Sequence, residues 1–196
     1  MAINRKYTTK FKRTIRGRTN YRARLKLVLS KFPRITVRSH LNNILIQLIQ
    51  FNPDGDKILV STHSKELTSY GWKYHRGNIP SAYLTGLLFG KKMLSINIKE
   101  AVLDIGMSPA TKGSRPFAAL KGILDAGIKV PHSKEILPSE DAVKGKNIAE
   151  YAKIAPKDSK QFSYHIKNNI PLEQISNNIE KTKELILKSE VTKRGN

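Results

Sequence analysis

"PRITVRSHLNNILIQLIQFNPDGDKILVST", residues 33–62, decides the fold. Ile35 and Val37 alternate with Arg34, Thr36 and Arg38, the two-residue period of a half-buried strand. Asn42 and Asn43 supply a turn. Residues 44–51 are rich in β-formers, and "NPDGD" (52–56) is a strong turn signal before "KILVST" alternates again. Three antiparallel strands joined by short turns are predicted over about 34–62. The period also predicts that Ile35 and Val37 enter the core. Arg34, Thr36 and Arg38 then share the opposite, polar face.

Downstream, "HSKELTSYGWKYHRGN" (63–78) is polar and aromatic and reads as a loop in its second half. In "IPSAYLTGLLFGKKMLSIN" (79–97), Pro80 suits a first helical turn, and Tyr83, Leu84, Leu87, Leu88 and Leu94 form an apolar stripe. "EAVLDIG" (100–106) fits a short buried strand, and "GMSPATKGSRP" (106–116) a loop. "FAALKGILDAG" (117–127) is a second amphipathic helix closed by Gly127, and "IKVP" (128–131) reads as one more strand. The fold class is therefore α/β, with a three-stranded antiparallel unit followed by α-β-α-β. Past Pro131, "SEDAVKGKNIAEYAKI" and "PLEQISNNIEKTKELILKS" read as helices. The second carries a stripe of Leu172, Ile175, Ile179 and Ile186, to be docked on the domain or on a neighbour. The organisation is a basic arm (1–20), an α/β core (21–130) and a helical C-terminal extension (131–196).

Working towards the N-terminus, charge takes over from hydropathy. "RKYTTKFKRTIRGRTNYRARLKL" (5–27) holds ten lysines and arginines, six of them arginine, and no acid. The first carboxylate is Asp54. Of a net charge of +21, residues 1–40 supply 13. Such self-repulsion does nothing for a compact domain, so a polyanion is the natural partner. Residues 1–20 lack apolar periodicity and contain Gly17, which predicts an extended arm that orders on its partner. Leu25, Val28 and Leu29 predict a short basic helix after it. Phe11 and Tyr21 either stack on unpaired bases or pack on the domain.

Other chemistries find little support. The chain has no cysteine, which excludes disulfides and thiolate chemistry. "MAINRKYTT" has no apolar run of a secretory signal, and "NILIQLIQF" is too short to span a bilayer, so an intracellular soluble protein is expected. The histidines, His40, His63, His75, His132 and His165, have no metal-ligand spacing. Asp54 and Asp56 flank Gly55 in a turn for local reasons. Asp104, with Glu100 and Asp125, is the one set that suggests a metal-dependent nuclease; a basic α/β nuclease or RNA-modifying enzyme is the alternative to a binding protein. "TKGSR" (111–115) offers phosphate contact at a helix N-terminus or is an ordinary loop; it is no Walker A sequence.

"YRARLKL", "PRITVRS", "NPDGDKILVSTHSKEL", "YGWK", "GNIPSAYLTGLL", "EAVLDIG", "ALKGILDAGIKVPHS" and "IAEYA" occur in this order. Together they resemble the ribosomal protein L-eighteen family, in its archaeal type, from about Tyr21 to Tyr151. Tyr74, His75 and Arg76 depart from the family pattern, and the stretch beyond Ala155 matches poorly. The resemblance implies a structural, non-enzymatic protein of the large ribosomal subunit, with no cofactor, working in the cytoplasm. It implies that the α/β core holds 5S rRNA in the central protuberance, touching large-subunit rRNA and neighbouring ribosomal proteins. It carries RNA contact to Tyr21, Arg22, Arg24, Arg34 and Arg38, and to the loop residues Trp72, Lys73, Lys112 and Arg115. The arm resembles the family's N-terminal extension in charge, which adds Arg5, Lys6, Lys10, Lys12, Arg13, Arg16 and Arg18.

Overall fold

A computed structural model of the chain describes residues 9–154, 162, 165–166, 168 and 170–189. Among the described residues the α-helices are α1 (Lys12–Ile15), α2 (Tyr21–Leu29), α3 (Ile79–Ser95), α4 (Arg115–Asp125), α5 (Glu140–Val143), α6 (Lys146–Ile154) and α7 (Ile175–Lys188). The strands are β1 (Arg34–Ser39), β2 (Ile44–Gln50), β3 (Lys57–His63) and β4 (Val102–Asp104).

The 33–62 stretch folds as its period predicts. β1 pairs with β2 antiparallel, Ile35 opposite Leu48 and Val37 opposite Ile46, and all four are fully buried. The register with β3 shifts after Leu48, a bulge. At the tight turn His40 N donates to the Asn43 carbonyl (2.8 Å), and in "NPDGD" Gly55 N donates to the Asn52 carbonyl (3.0 Å). β4 joins the other edge of β1 in parallel, giving the order β3-β2-β1-β4. The strand expected at 128–131 is reduced to one parallel bridge, Glu100 with Lys129. Pro131 has no N–H with which to extend it.

α3 crosses between the antiparallel unit and β4. Asn78 caps it, its side chain accepting from Ser81 N (2.9 Å), and Pro80 lies in the first turn. Every residue from Pro80 to Gly90 is buried, because the helix is covered on two sides. Ala82, Phe89 and Met93 pack with the sheet and with Phe117, Leu120 and Ile123 of α4. Tyr83, Leu84, Leu87 and Leu88 face a second cluster containing Leu67, Trp72, Val143, Ile175, Ile179 and Ile186. An apolar surface all round is the mark of a central helix. The stripe of α7 thus docks on α3 of its own chain. Lys91 on α3 donates to the carbonyls of Ile186 (2.7 Å), Leu187 (2.7 Å) and Ser189 (2.8 Å), a cation seated on the α7 C-terminus.

α3 and α4 approach through glycine. A Cβ on Gly86 would run into the Ala119 carbonyl, and one on Gly122 into the Tyr83 carbonyl. Gly86→Ala is therefore expected to cost about 1–3 kcal/mol by overpacking, although alanine favours helices. A urea melt showing equal or greater stability would contradict this packing.

Three histidines are held below their ordinary pKa of 6.5. Burial lowers His63, His75 and His165; Lys65 adds to it for His63, and Arg76 and Arg115 for His75. On unfolding each takes up protons more readily, so the unfolded chain binds more protons as the pH falls through 6.5. Stability should be full above that value and decline below it. Urea midpoints measured from about pH 7.5 to about pH 5.5 should fall, and less steeply for His75→Asn. A midpoint that rises on acidification would contradict the assignment.

Candidate nucleic-acid interface

The face of the sheet turned away from α3 is built by the alternate residues of β1. Arg34, Thr36 and Arg38 stand opposite Ile49, Gln47 and Leu45 of β2, and Asp104 of β4 pairs with Thr36. Over this face lies the segment 13–27. The Asn20 side chain accepts from Ala23 N (3.1 Å) and starts α2; Lys31, at φ 62°, ends it. Ala23 and Leu27 line one cavity with Ile49, while Leu25 and Leu29 point outward, 59% and 69% exposed.

Five arginines converge there. Arg13, Arg18, Arg24, Arg34 and Arg38 line one cavity of about 230 Å³ together with Asp56 and Asp104. The two carboxylates are shared out. Asp56 Oδ2 accepts from Arg34 (2.7 Å) and Arg24 (2.9 Å). Asp104 accepts from Arg34 at Oδ2 (3.3 Å) and Arg38 at Oδ1 (3.4 Å), and its carbonyl accepts from Arg38 (2.9 Å). Arg13 Nε donates to Thr19 Oγ1 (3.0 Å). The chain from α2 through β1 to β4 is thus stitched by ion pairs. Five guanidinium groups against two carboxylates leave the surface strongly positive, a field that attracts phosphate and falls off with salt.

The residues expected to touch RNA separate into groups. Arg5 and Lys6 lie outside the described residues. Lys10, Lys12, Arg13, Arg16, Arg18 and Arg22 are exposed along the arm and the first turn of α2. The arm is not extended throughout, since Lys12–Ile15 forms a helical turn and Gly17 adopts φ 61° after it. Tyr21 is half-buried with its ring 4.9 Å from that of Phe11, so the two aromatics pack on each other. Arg24 and Arg38 are partly exposed, with side-chain exposures of 37% and 39%.

Arg34 is more enclosed than expected. It occupies the predicted face, yet it is 3% exposed and its guanidinium is engaged with two carboxylates. It shares Asp56 with Arg24 and Asp104 with Arg38, and so braces the arginines above it. Trp72 is likewise more enclosed than an RNA contact was expected to be. It is 2% exposed in the α3–α7 cluster, and its Nε1 donates to the His75 carbonyl (3.3 Å). Lys73 beside it is exposed but lines a different cleft.

At "TKGSR" the amides of Gly113 and Ser114 donate to the carbonyls of Ile136 (3.0 Å) and Thr111 (3.2 Å), so these two amides are engaged within the protein. Lys112 pairs with Glu135 (3.0 Å) on the surface. Arg115 donates to the His40 (2.8 Å) and Gly77 (3.1 Å) carbonyls, clamping two loops.

Sequence reasoning missed what Asp56 and Asp104 do. Asp56 is more than a turn residue, and Asp104 faces arginines in place of a metal. No group of three or more potential metal ligands occurs among the described residues, and no helix among them is long and apolar enough to cross a membrane. For Asp56 the available signal was positional, since it is the second acid after a long acid-free, cationic run.

Comparison with known proteins bears on what such a surface is for. Residues 5–101 and 96–133 match the family described as ribosomal large subunit proteins 60S L5 and 50S L18. The chain is also 44% identical over 191 residues to the large ribosomal subunit protein uL18 of Methanococcus maripaludis, an alignment covering 95% of this chain and 99% of that protein.

Proposed function

Because the chain belongs to the family of large-subunit ribosomal proteins 60S L5 and 50S L18, we propose that it binds 5S rRNA and helps attach it to large-subunit rRNA in the central protuberance of cytoplasmic ribosomes. Its role is structural. The arm and the outer sheet face neutralise phosphates, and arginine suits the task because its planar guanidinium pairs with phosphate in two-pronged fashion. The ion pairs of Asp56 and Asp104 hold the supporting arginines in place before RNA arrives, which lowers the cost of ordering on binding. Neighbouring large-subunit proteins and rRNA complete its surroundings.

The observation that carries this reading is the convergence of five arginines on one face of a domain whose family is ribosomal. A nuclease reading would need Asp104 to hold a metal, and its carboxylate is taken up by Arg34 and Arg38. RNase footprinting of isolated 5S rRNA tests the proposal. The protein should protect a confined region of 5S rRNA at concentrations that leave a transfer RNA of similar size unprotected. Equal protection of both RNAs would mean general polyanion binding only.

A further inference from the structure

We propose that a second cleft, between the β1–β2 turn, the 71–77 loop and the start of α7, binds unpaired nucleotides of RNA. Two adjoining hollows of about 700 and 260 Å³ meet there, sharing Lys73, Tyr74, Asn168 and Ile170. None of their lining residues belongs to the arginine cavity. The inference rests on the reading that this chain binds ribosomal RNA.

The chemistry of the lining carries the argument. Lys73, Arg76 and Lys181 supply positive charge, and among the described residues no carboxylate lines either hollow. Asn42, Gln174 and Asn177 add amide groups, each both donor and acceptor, the pattern that matches the exposed edges of an unpaired base. In an A-form duplex those edges are turned inward, so a loop or single strand is the fitting ligand.

One ring is presented to it. His75 is exposed but partly enclosed at its base, where its Nδ1 accepts from Gly77 N (3.1 Å); that partial burial and the charges of Arg76 and Arg115 lower its pKa and favour the neutral ring. A neutral imidazole is a suitable stacking surface. The wall behind it is rigid. The Trp72 and Tyr74 rings pack 5.2 Å apart, and Tyr74 Oη donates to the Pro171 carbonyl (2.8 Å), tying the loop to the segment before α7. A preformed wall loses little entropy on binding. This also gives Trp72 a reason to lie beneath an RNA-facing loop without touching RNA.

The test uses the full chain and an unstructured RNA of about ten nucleotides carrying 4-thiouridine. Photo-crosslinks are expected within 71–77 and 174–181 as well as on the arm, and a perfectly paired hairpin should give arm adducts alone. The Lys73→Ala, Arg76→Ala, Lys181→Ala variant should lose the cleft adducts and keep those on the arm. Its plot of log affinity against log salt for the single strand should be shallower by about 2. Adducts on the arm alone, with an unchanged slope, would overturn the cleft and leave the function standing. Adducts at neither place would overturn both. Binding of an acidic peptide at the cleft that the RNA cannot displace would also overturn the proposal, marking the cleft as a protein-docking site.

Discussion

Arg34→Ala should unfold far more easily than the native chain, by about 3–5 kcal/mol, although it removes a positive charge from a molecule that carries a net +21. Relief of long-range repulsion would stabilise the variant slightly. The local loss is larger, because Arg34 is 3% exposed and bridges Asp56 to Asp104. Its removal leaves two partly buried carboxylates short of a partner and opens a space under α2. The carboxylates keep Arg24 and Arg38, which limits the loss but does not cancel it. Arg34 Nε and Asp56 Oδ1 are buried without a hydrogen-bond partner, so the network is costly to keep, and a well-packed apolar replacement of the whole set is a different experiment from removing one member. Urea melts of Arg34→Ala and of Arg22→Ala check this. The second variant lies on the exposed side of α2 and should change stability by under about 0.5 kcal/mol. Equal midpoints for the two would mean that Arg34 is a surface residue after all.

The second large effect concerns RNA and spares the fold. Replacing Arg13, Arg16, Arg18 and Arg22 together by alanine removes four exposed guanidinium groups and no buried contact. Affinity for 5S rRNA at physiological salt should drop by on the order of 10²-fold or more, as each lost phosphate contact forfeits a charge-assisted bond and its released counterions. The urea midpoint should stay nearly fixed. A filter-binding titration beside a melt separates the two properties. Together the variants divide the arginines into those that meet RNA and those that hold the others up.

Which arginine does which was only partly legible in the sequence. The alternation in "RITVRS" placed Arg34 and Arg38 on one face and Ile35 and Val37 on the other, and the structure has that arrangement. A strand period, however, says nothing of what lies above a face. The partners of Arg34 are 22 and 70 residues away in sequence, beyond any local window. Trp72 hid for a similar reason. Its setting, "SYGWKYHRGN", is polar, and its cover comes from α7, a hundred or so residues later. The stripe on α3 was legible, whereas its burial on all sides became visible only once α7 was docked against it. The arm was legible as charge, because an acid-free run of 53 residues needs no fold to be recognised.

The most direct measurement of the central claim is the salt dependence of 5S rRNA binding by the native chain and by the four-arginine variant. If the arm and outer sheet face make about 6–10 phosphate contacts, native affinity should fall by roughly 10³–10⁵ between about 50 and about 200 mM salt. The variant's plot of log affinity against log salt should be shallower by about 3–4. Two parallel lines would show that these arginines do not meet the phosphates, and the interface would have to be sought elsewhere on the molecule.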